Sequence, residues 1–131
     1  MLDASRKSLA MYRFEKASEC LRAAEIALEN DLLPTAVNRS YYCIFHAMRA
    51  VLSLDSLDAK KHSGVISIFR QKYVKDGAFS VELSDIVERA FKMRNKSDYD
   101  DFYIIQKSDV SRQVTDARIF FAVIEAYVKQ K

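Results

Sequence analysis

The sequence predicts an all-α protein: an up-and-down bundle of four or five helices in a single domain, residues 1–131. Two glycines and one proline leave little material for hairpins, whereas 50% hydrophobic and 30% charged residues suit amphipathic helices. Apolar residues also recur three and four positions apart near both ends of the chain, which is the spacing of a bundle helix. A chain of this length buries a sizeable core without disulfides or metals.

The first helix is predicted from about Asp3 to Asn30. Its apolar residues follow a spacing of four, three, four, three and four: Ala10, Phe14, Ala17, Leu21, Ala24 and Leu28. We expect Asn30 to end this helix in a left-handed conformation and Pro34 to open the next one. Because the connection is short, the two helices should be antiparallel neighbours.

The second helix, Pro34 to Ser53, is predicted to be central because two of its three faces suit a neighbouring helix. One face is large and apolar: Val37, Tyr41, Ile44, Phe45, Met48, Val51 and Leu52. Another has small residues: Ala36, Ser40, Cys43, Ala47 and Ala50. The third is polar, and it suits either a solvated surface or a functional site: Thr35, Asn38, Arg39, Tyr42, His46, Arg49 and Ser53.

A polar loop, residues 54–59, precedes a third helix that is introduced by residues 60–63 and ends near Tyr73. Ser80 is expected to cap a fourth helix. The buried side of that helix is predicted to hold Leu83, Ile86, Val87, Ala90 and Met93. From Asn95 to Gln106 the helical pattern gives way to an acidic, aromatic loop.

The last helix is predicted from a cap at Ser108 to about Lys129. It repeats the spacing of the first helix: Val110, Val114, Ala117, Phe121, Ile124 and Val128. The exposed aromatic residues of the preceding loop, Tyr99, Phe102 and Tyr103, exceed what a monomer usually shows, so we expect a homodimer.

Cysteine usage and hydropathy predict a soluble cytoplasmic protein with no membrane contact. Cys20 and Cys43 both fall inside helical patterns, as reduced, packed thiols do, and no apolar run approaches the ~20 residues of a membrane span. The net charge of +3 does not by itself indicate nucleic acid. Residues 60–75, which contain basic side chains and no acidic one, suit either an RNA or phosphate contact or a plain solvated surface.

Arg94 stands out because it falls on the apolar side of the fourth helix. A buried, unpaired guanidinium is very costly, so Arg94 either pairs with Asp98, four residues on, or reaches solvent at the end of the bundle. The sequence contains no glycine-rich phosphate loop, CxxC, HExxH or nucleophile elbow. We expect no cofactor and no metal site, since the loop carboxylates suit solvent better than a cation.

Four motifs in order resemble the HEPN domain family, in particular its small, stand-alone prokaryotic branch. They are an amphipathic first helix, NR-x-YY-x-x-FH-x-x-R in the second helix, KxHSGVI at the third and R-x-x-x-DYDDF before the last. The resemblance covers about Tyr12 to Tyr127. It implies a compact helical bundle that usually dimerises, and in many members a metal-independent endoribonuclease toxin whose antitoxin is a minimal nucleotidyltransferase.

The family's catalytic signature is an arginine followed, after four to six residues, by a histidine. By this resemblance Arg94 matches the arginine and Asn95 matches the polar residue that follows it, but Tyr99, Asp100 or Asp101 stands where the histidine belongs. None of these replaces an imidazole near neutral pH. Asp98 remains a candidate proton acceptor and Tyr99 a candidate donor.

The polar face of the second helix supplies the remaining candidates for binding or for orienting the site: Asn38, Arg39, Tyr42, His46 and Arg49. Arg39 and His46 also show the spacing of the signature, but in the wrong helix, and we expect His46 to orient Arg94 or Asp98. The favoured function is an RNA- or nucleotide-binding module paired with a nucleotidyltransferase, with weak or no nuclease activity. The alternatives are an active ribonuclease toxin and a structural helical adaptor.

Overall fold

The computed structural model describes residues 4–131, and over that range the chain forms five α-helices and no strand. They are α1 (Ala4–Glu29), α2 (Leu33–Leu54), α3 (His62–Phe69), α4 (Val81–Tyr99) and α5 (Lys107–Lys129). One π-helical turn, Arg70–Val74, follows α3 directly. The predicted all-α bundle is confirmed, while the predicted first helical residue, Asp3, lies outside the described residues.

The central position of α2 is confirmed, since this helix contacts α1, α3, α4 and α5. Its large apolar face and its small-residue face are both fully buried. Helix α1 runs antiparallel to it, because Arg13 near the start of α1 donates to Oγ of Ser53 near the end of α2 at 2.7 Å. The two packed faces leave one polar stripe of α2 half-buried, and this stripe carries the predicted site residues.

The apolar spacing predicted the buried residues of α1, α4 and α5 closely, with differences of one position. In α5, Phe120 is fully buried, whereas Phe121 is partly buried and stacks on Phe14 with 4.5 Å between ring centroids. In α4, Met93 is only partly buried. The main core joins all five helices, and a smaller apolar cluster closes the end where α1 turns into α2.

The prediction that Asn30 takes the left-handed conformation is wrong, because Asp31 holds it instead, with φ of 58°. The amide of Leu32 donates to the carbonyl of Ala27 at 2.8 Å and that of Asp31 to Leu28 at 3.1 Å. This pair of bonds is a Schellman ending, in which the residue after the cap is left-handed. Aspartate tolerates this conformation better than most residues.

The fourth helix ends later than predicted. Ser80 caps it as expected, accepting from the amide of Leu83 at 3.3 Å, but the helix continues past Asn95 to Tyr99, and only residues 100–106 form the loop. The prediction that Ser108 caps α5 is wrong: the helix begins at Lys107 after Gln106, with no side-chain cap. An ion pair of 2.6 Å between Lys107 and Asp31 ties this start to the end of α1.

Candidate functional site

Arg94 lies in the last turns of α4 with its guanidinium against α2, and its side chain is only 15% exposed. Nη2 donates to Oη of Tyr42 at 3.2 Å, and Nη1 donates to Oδ1 of Asn95 at 3.4 Å. Nε lies 2.9 Å from Oδ2 of Asp98, but its N–H does not point at the carboxylate, so this contact is an ion pair without a hydrogen bond. The partner expected four residues on is therefore in place.

Three tyrosine rings surround the Arg94 guanidinium. Its central carbon lies 5.3 Å from the ring centroid of Tyr41, 5.7 Å from that of Tyr42 and 5.9 Å from that of Tyr99. Aromatic faces attract a cation without neutralising it. The rings and the ion pair with Asp98 hold the guanidinium in a fixed orientation, close to the exposed side chain of Tyr99.

Tyr42 joins this arginine to the polar stripe of α2. The Arg39 guanidinium lies 5.3 Å from the Tyr42 ring centroid, on the same ring that Arg94 contacts. Oδ1 of Asn38 holds Arg39 through bonds of 2.9 Å from Nε and 2.6 Å from Nη2. The structure thus brings Asn38, Arg39 and Tyr42 together with Arg94 into one contiguous group with two guanidinium groups.

His46 lies on the other side of Tyr42 and faces α1. Its ring contacts Tyr42 and Phe45, and Nδ1 is buried without a hydrogen-bond partner. Burial lowers the pKa of His46 to about 4, and the charges of Lys16, Arg49, Arg39 and Arg13 add to the effect. We expected the His46 ring to contact Arg94 or Asp98. The structure places the ring against α1 instead.

Arg49 turns away from Arg94 toward the loop between α2 and α3. Its Nη2 lies 2.9 Å and its Nε 3.3 Å from the two carboxylate oxygens of Asp58. Arg13 of α1 donates to the same carboxylate at 3.1 Å. Burial raises the pKa of Asp58, but the hydrogen bonds from Arg49 and the Ala59 amide and the two arginine charges outweigh it, so the pKa is lowered.

Sequence reasoning missed His62 as a site residue. Its Nδ1 lies 2.9 Å from Oη of Tyr41, and its ring packs on Phe45 with 4.1 Å between centroids. Burial lowers the pKa of His62, and the nearby charges of Arg94 and Arg49 lower it further. The signal was present in the KxHS motif, but only the fold places the first residue of α3 beside the group around Arg94.

The arrangement can fix a phosphate more readily than it can move a proton. Arg94 and Arg39 supply cations, while the carboxylate of Asp98 is engaged by Arg94. No group of three metal-ligating side chains occurs within residues 4–131. The same range contains no helix long and apolar enough to cross a membrane.

A family model for the HEPN domain matches residues 10–127, which is nearly the whole chain. This chain belongs to the HEPN domain family. It is 32% identical over 124 residues to a "UPF0332 protein" of Thermotoga maritima, covering 95% of this chain and 94% of that protein. It is 31% identical over 117 residues to "Putative toxin MJ0142" of Methanocaldococcus jannaschii, covering 89% of this chain and 80% of that protein.

A second protein of that archaeon, "Putative toxin MJ0605", is 41% identical over 85 residues, covering 65% of this chain and 63% of that protein. Two of these relatives therefore carry the words "Putative toxin" in their names. The three positions at which the sequence resemblance would place the signature histidine lie at the end of α4 and the start of the exposed turn: Tyr99, Asp100 and Asp101.

Proposed function

We propose that this HEPN domain is an RNA- or nucleotide-binding module, the toxin-like half of a pair with a minimal nucleotidyltransferase, with weak or no nuclease activity of its own. The observation that carries the proposal is the setting of Arg94. The Tyr42 hydroxyl, the Asp98 carboxylate and three tyrosine rings hold its guanidinium, and no histidine follows Arg94 within the signature.

Phosphate binding is favoured by the way the cation is presented. A guanidinium fixed by its neighbours loses little side-chain entropy when a phosphate binds. Tyr99, whose ring centroid lies 5.9 Å from the central carbon of this guanidinium, is 71% exposed, and Phe102 in the following loop is 102% exposed. Exposed aromatic rings next to a cation suit unpaired bases, which stack on them.

Weak cleavage follows from the proton-transfer groups that are present. Attack by a ribose 2′-hydroxyl needs a proton acceptor whose pKa lies near the working pH, and imidazole supplies it. Here the ion pair with Arg94 occupies the carboxylate of Asp98, which makes Asp98 a poor proton acceptor. Arg94 alone supplies only charge stabilisation for the reacting phosphate.

The proposed partner is argued from the family, and the proposed dimer is argued from one exposed surface. The resemblance implies a nucleotidyltransferase antitoxin, and two relatives carry toxin in their names. The surface formed by Tyr99, Phe102 and Ile104 is apolar and open, with Ile104 76% exposed. We assign a second copy of the chain to it, which would place two Arg94 side chains near one dimer axis.

RNA binding and cleavage by purified protein in EDTA test the proposal. We expect a fluorescent single-stranded RNA to bind and to remain largely intact, and Arg94→Ala to weaken binding by at least about tenfold. Arg22→Ala, an exposed arginine of α1, controls for the lost charge and should leave affinity within about twofold. Co-purification with a co-expressed nucleotidyltransferase encoded beside its gene tests the pairing.

Two other results would replace the proposal. Robust cleavage in EDTA that disappears in Arg94→Ala would establish the active ribonuclease. A marked drop in melting temperature for Arg94→Ala with unchanged RNA affinity would establish the structural adaptor, in which Arg94 and Asp98 serve only as an ion pair.

A further inference from the structure

A surface cavity of about 520 Å³ lies between the end of α2, the loop before α3 and the first residue of α3. Its lining is Phe45, Arg49, Asp58, Ala59, Lys60 and His62. Arg94 is not part of this lining, and His62, which bonds to Tyr41 beneath the Arg94 guanidinium, links the cavity to the group around Arg94. Its volume is in the range of sites that hold small molecules.

The cavity concentrates positive charge. Lys60 is exposed and has no carboxylate within 4 Å among residues 4–131. Arg49 is 28% exposed, and its guanidinium lies over the Phe45 ring, 5.9 Å from the centroid. The first turn of α3 begins beside them after Lys61 with no side-chain cap, and uncapped amides at a helix start favour an anion.

His62 faces this cavity as a hydrogen-bond donor. The Tyr41 hydroxyl lies 2.9 Å from Nδ1 of His62, and because burial raises the pKa of Tyr41 its phenol stays protonated and can donate to that nitrogen. The neutral imidazole then carries its hydrogen on Nε2. In that state Nε2 is a hydrogen-bond donor and not a proton acceptor.

The only acid of the lining, Asp58, occupies the place of an anionic ligand. Its Oδ2 accepts from Nη2 of Arg49 at 2.9 Å and its Oδ1 from Nε of Arg49 at 3.3 Å, the bidentate type of contact that arginine also makes with phosphate. Asp58 belongs to the loop 55–61 and is 43% exposed, so an incoming anion can compete with it for Arg49.

We infer that this cavity binds a phosphomonoester, either a free mononucleotide or the 5′-phosphate end of an RNA, through Arg49, Lys60 and His62, with Asp58 as an internal competitor. The inference rests on the nucleotide-binding part of the proposed function. A monoester carries a charge of about −1.5 to −2 at neutral pH, which matches two cations and a neutral donor better than the single charge of an internal phosphodiester does.

Calorimetry with AMP, adenosine and inorganic phosphate tests the ligand class. We expect AMP to bind, inorganic phosphate to bind more weakly and adenosine not to bind. Lys60→Gln and Arg49→Gln should each lower the affinity for AMP by about tenfold or more. Asp58→Asn should raise that affinity several-fold by freeing Arg49. Arg22→Gln on α1 is the matched loss of charge and should change nothing. Lys60→Gln keeps the test valid if Arg49→Gln does not fold.

The imidazole Hε1 resonances locate the ligand, since the chain has two histidines and His46→Gln assigns them. His62 faces Tyr41, Arg49, Arg94, Lys60 and Asp58. Bound AMP should therefore shift its signal and raise its pKa, while the His46 signal stays in place. Equal binding of adenosine, tighter binding by Lys60→Gln or an unmoved His62 signal would overturn the inference.

Short RNAs with and without a 5′-phosphate distinguish the two sources of the monoester. Tighter binding of the phosphorylated RNA, abolished by Lys60→Gln, would assign the RNA end, and AMP binding without this difference would assign the free nucleotide. Failure of RNA binding with AMP still held in the cavity would overturn the RNA-binding part of the proposed function and leave this inference standing. RNA binding without AMP binding would overturn this inference alone.

Discussion

The hydroxyl of Tyr41 and Nδ1 of His62 lie 2.9 Å apart, and this bond joins the core of the bundle to its candidate binding surface. Tyr41 is fully buried on α2 and lies beneath the Arg94 guanidinium, whereas His62 opens α3 at the edge of the cavity. One buried phenol therefore connects both parts of the surface that we assign to phosphate recognition.

Tyr42→Phe tests whether a fixed orientation of Arg94 matters for binding. The ring remains under both guanidinium groups, but the 3.2 Å bond from Nη2 of Arg94 is lost. We expect RNA affinity to fall about three- to tenfold, with about 1 kcal/mol or less lost in stability. Tyr12→Phe, an exposed phenol on α1, is the control in titrations by fluorescence anisotropy, and equal affinity of both variants would contradict the role of the hydroxyl.

His46 should make stability depend on pH. Its pKa is about 4 in the folded chain and near 6.5 when unfolded, so the unfolded chain binds more protons between these values. The free energy of unfolding should fall as the pH is lowered from about 7 to about 4. Thermal melts should show a smaller drop between about pH 7 and pH 5 for His46→Gln than for the wild type, and parallel curves would contradict this.

Phe102→Ser tests the assigned dimer surface. Phe102 is fully exposed and has a left-handed backbone, with φ of 57°, so this side chain stabilises nothing within its own subunit. We expect sedimentation velocity to show a dimer for the wild type and a shift toward monomer for the variant. Val81→Ser, 65% exposed at the opposite end of α4, should leave the dimer unchanged, and a wild-type monomer at every concentration would exclude this interface.

Gly64→Ala tests how the loop 55–61 is seated against α3. A Cβ at residue 64 would lie 2.9 Å from Cβ of Ala59, which is closer than real contacts allow. We expect a loss of about 1–2 kcal/mol in stability by thermal denaturation. Adding Ala59→Gly should recover part of this loss because it removes the clashing atom, and a double variant no more stable than Gly64→Ala would place the strain elsewhere.

The sequence predicted the core better than it predicted the helix ends. Spacing in α2 identified both of its buried faces, since each side chain there is directed by its position alone. The boundary at Asn95 was wrong because the Arg94 to Asp98 pair and the packing of Arg94 on Tyr42 extend α4 to Tyr99. The contact with Tyr42 is made with another helix, and the local sequence pattern does not contain it.

The sequence by itself determined an all-α bundle, a central α2 and the absence of a histidine after Arg94, and it offered Asp98 as one of two outcomes for Arg94, because these depend on residue type and spacing along one helix. Only the tertiary structure decided that His46 faces α1, that His62 bonds to Tyr41, and that Arg49 and Lys60 share a cavity with Asp58. Those contacts join residues on different helices and loops, and packing of the whole core fixes their distances.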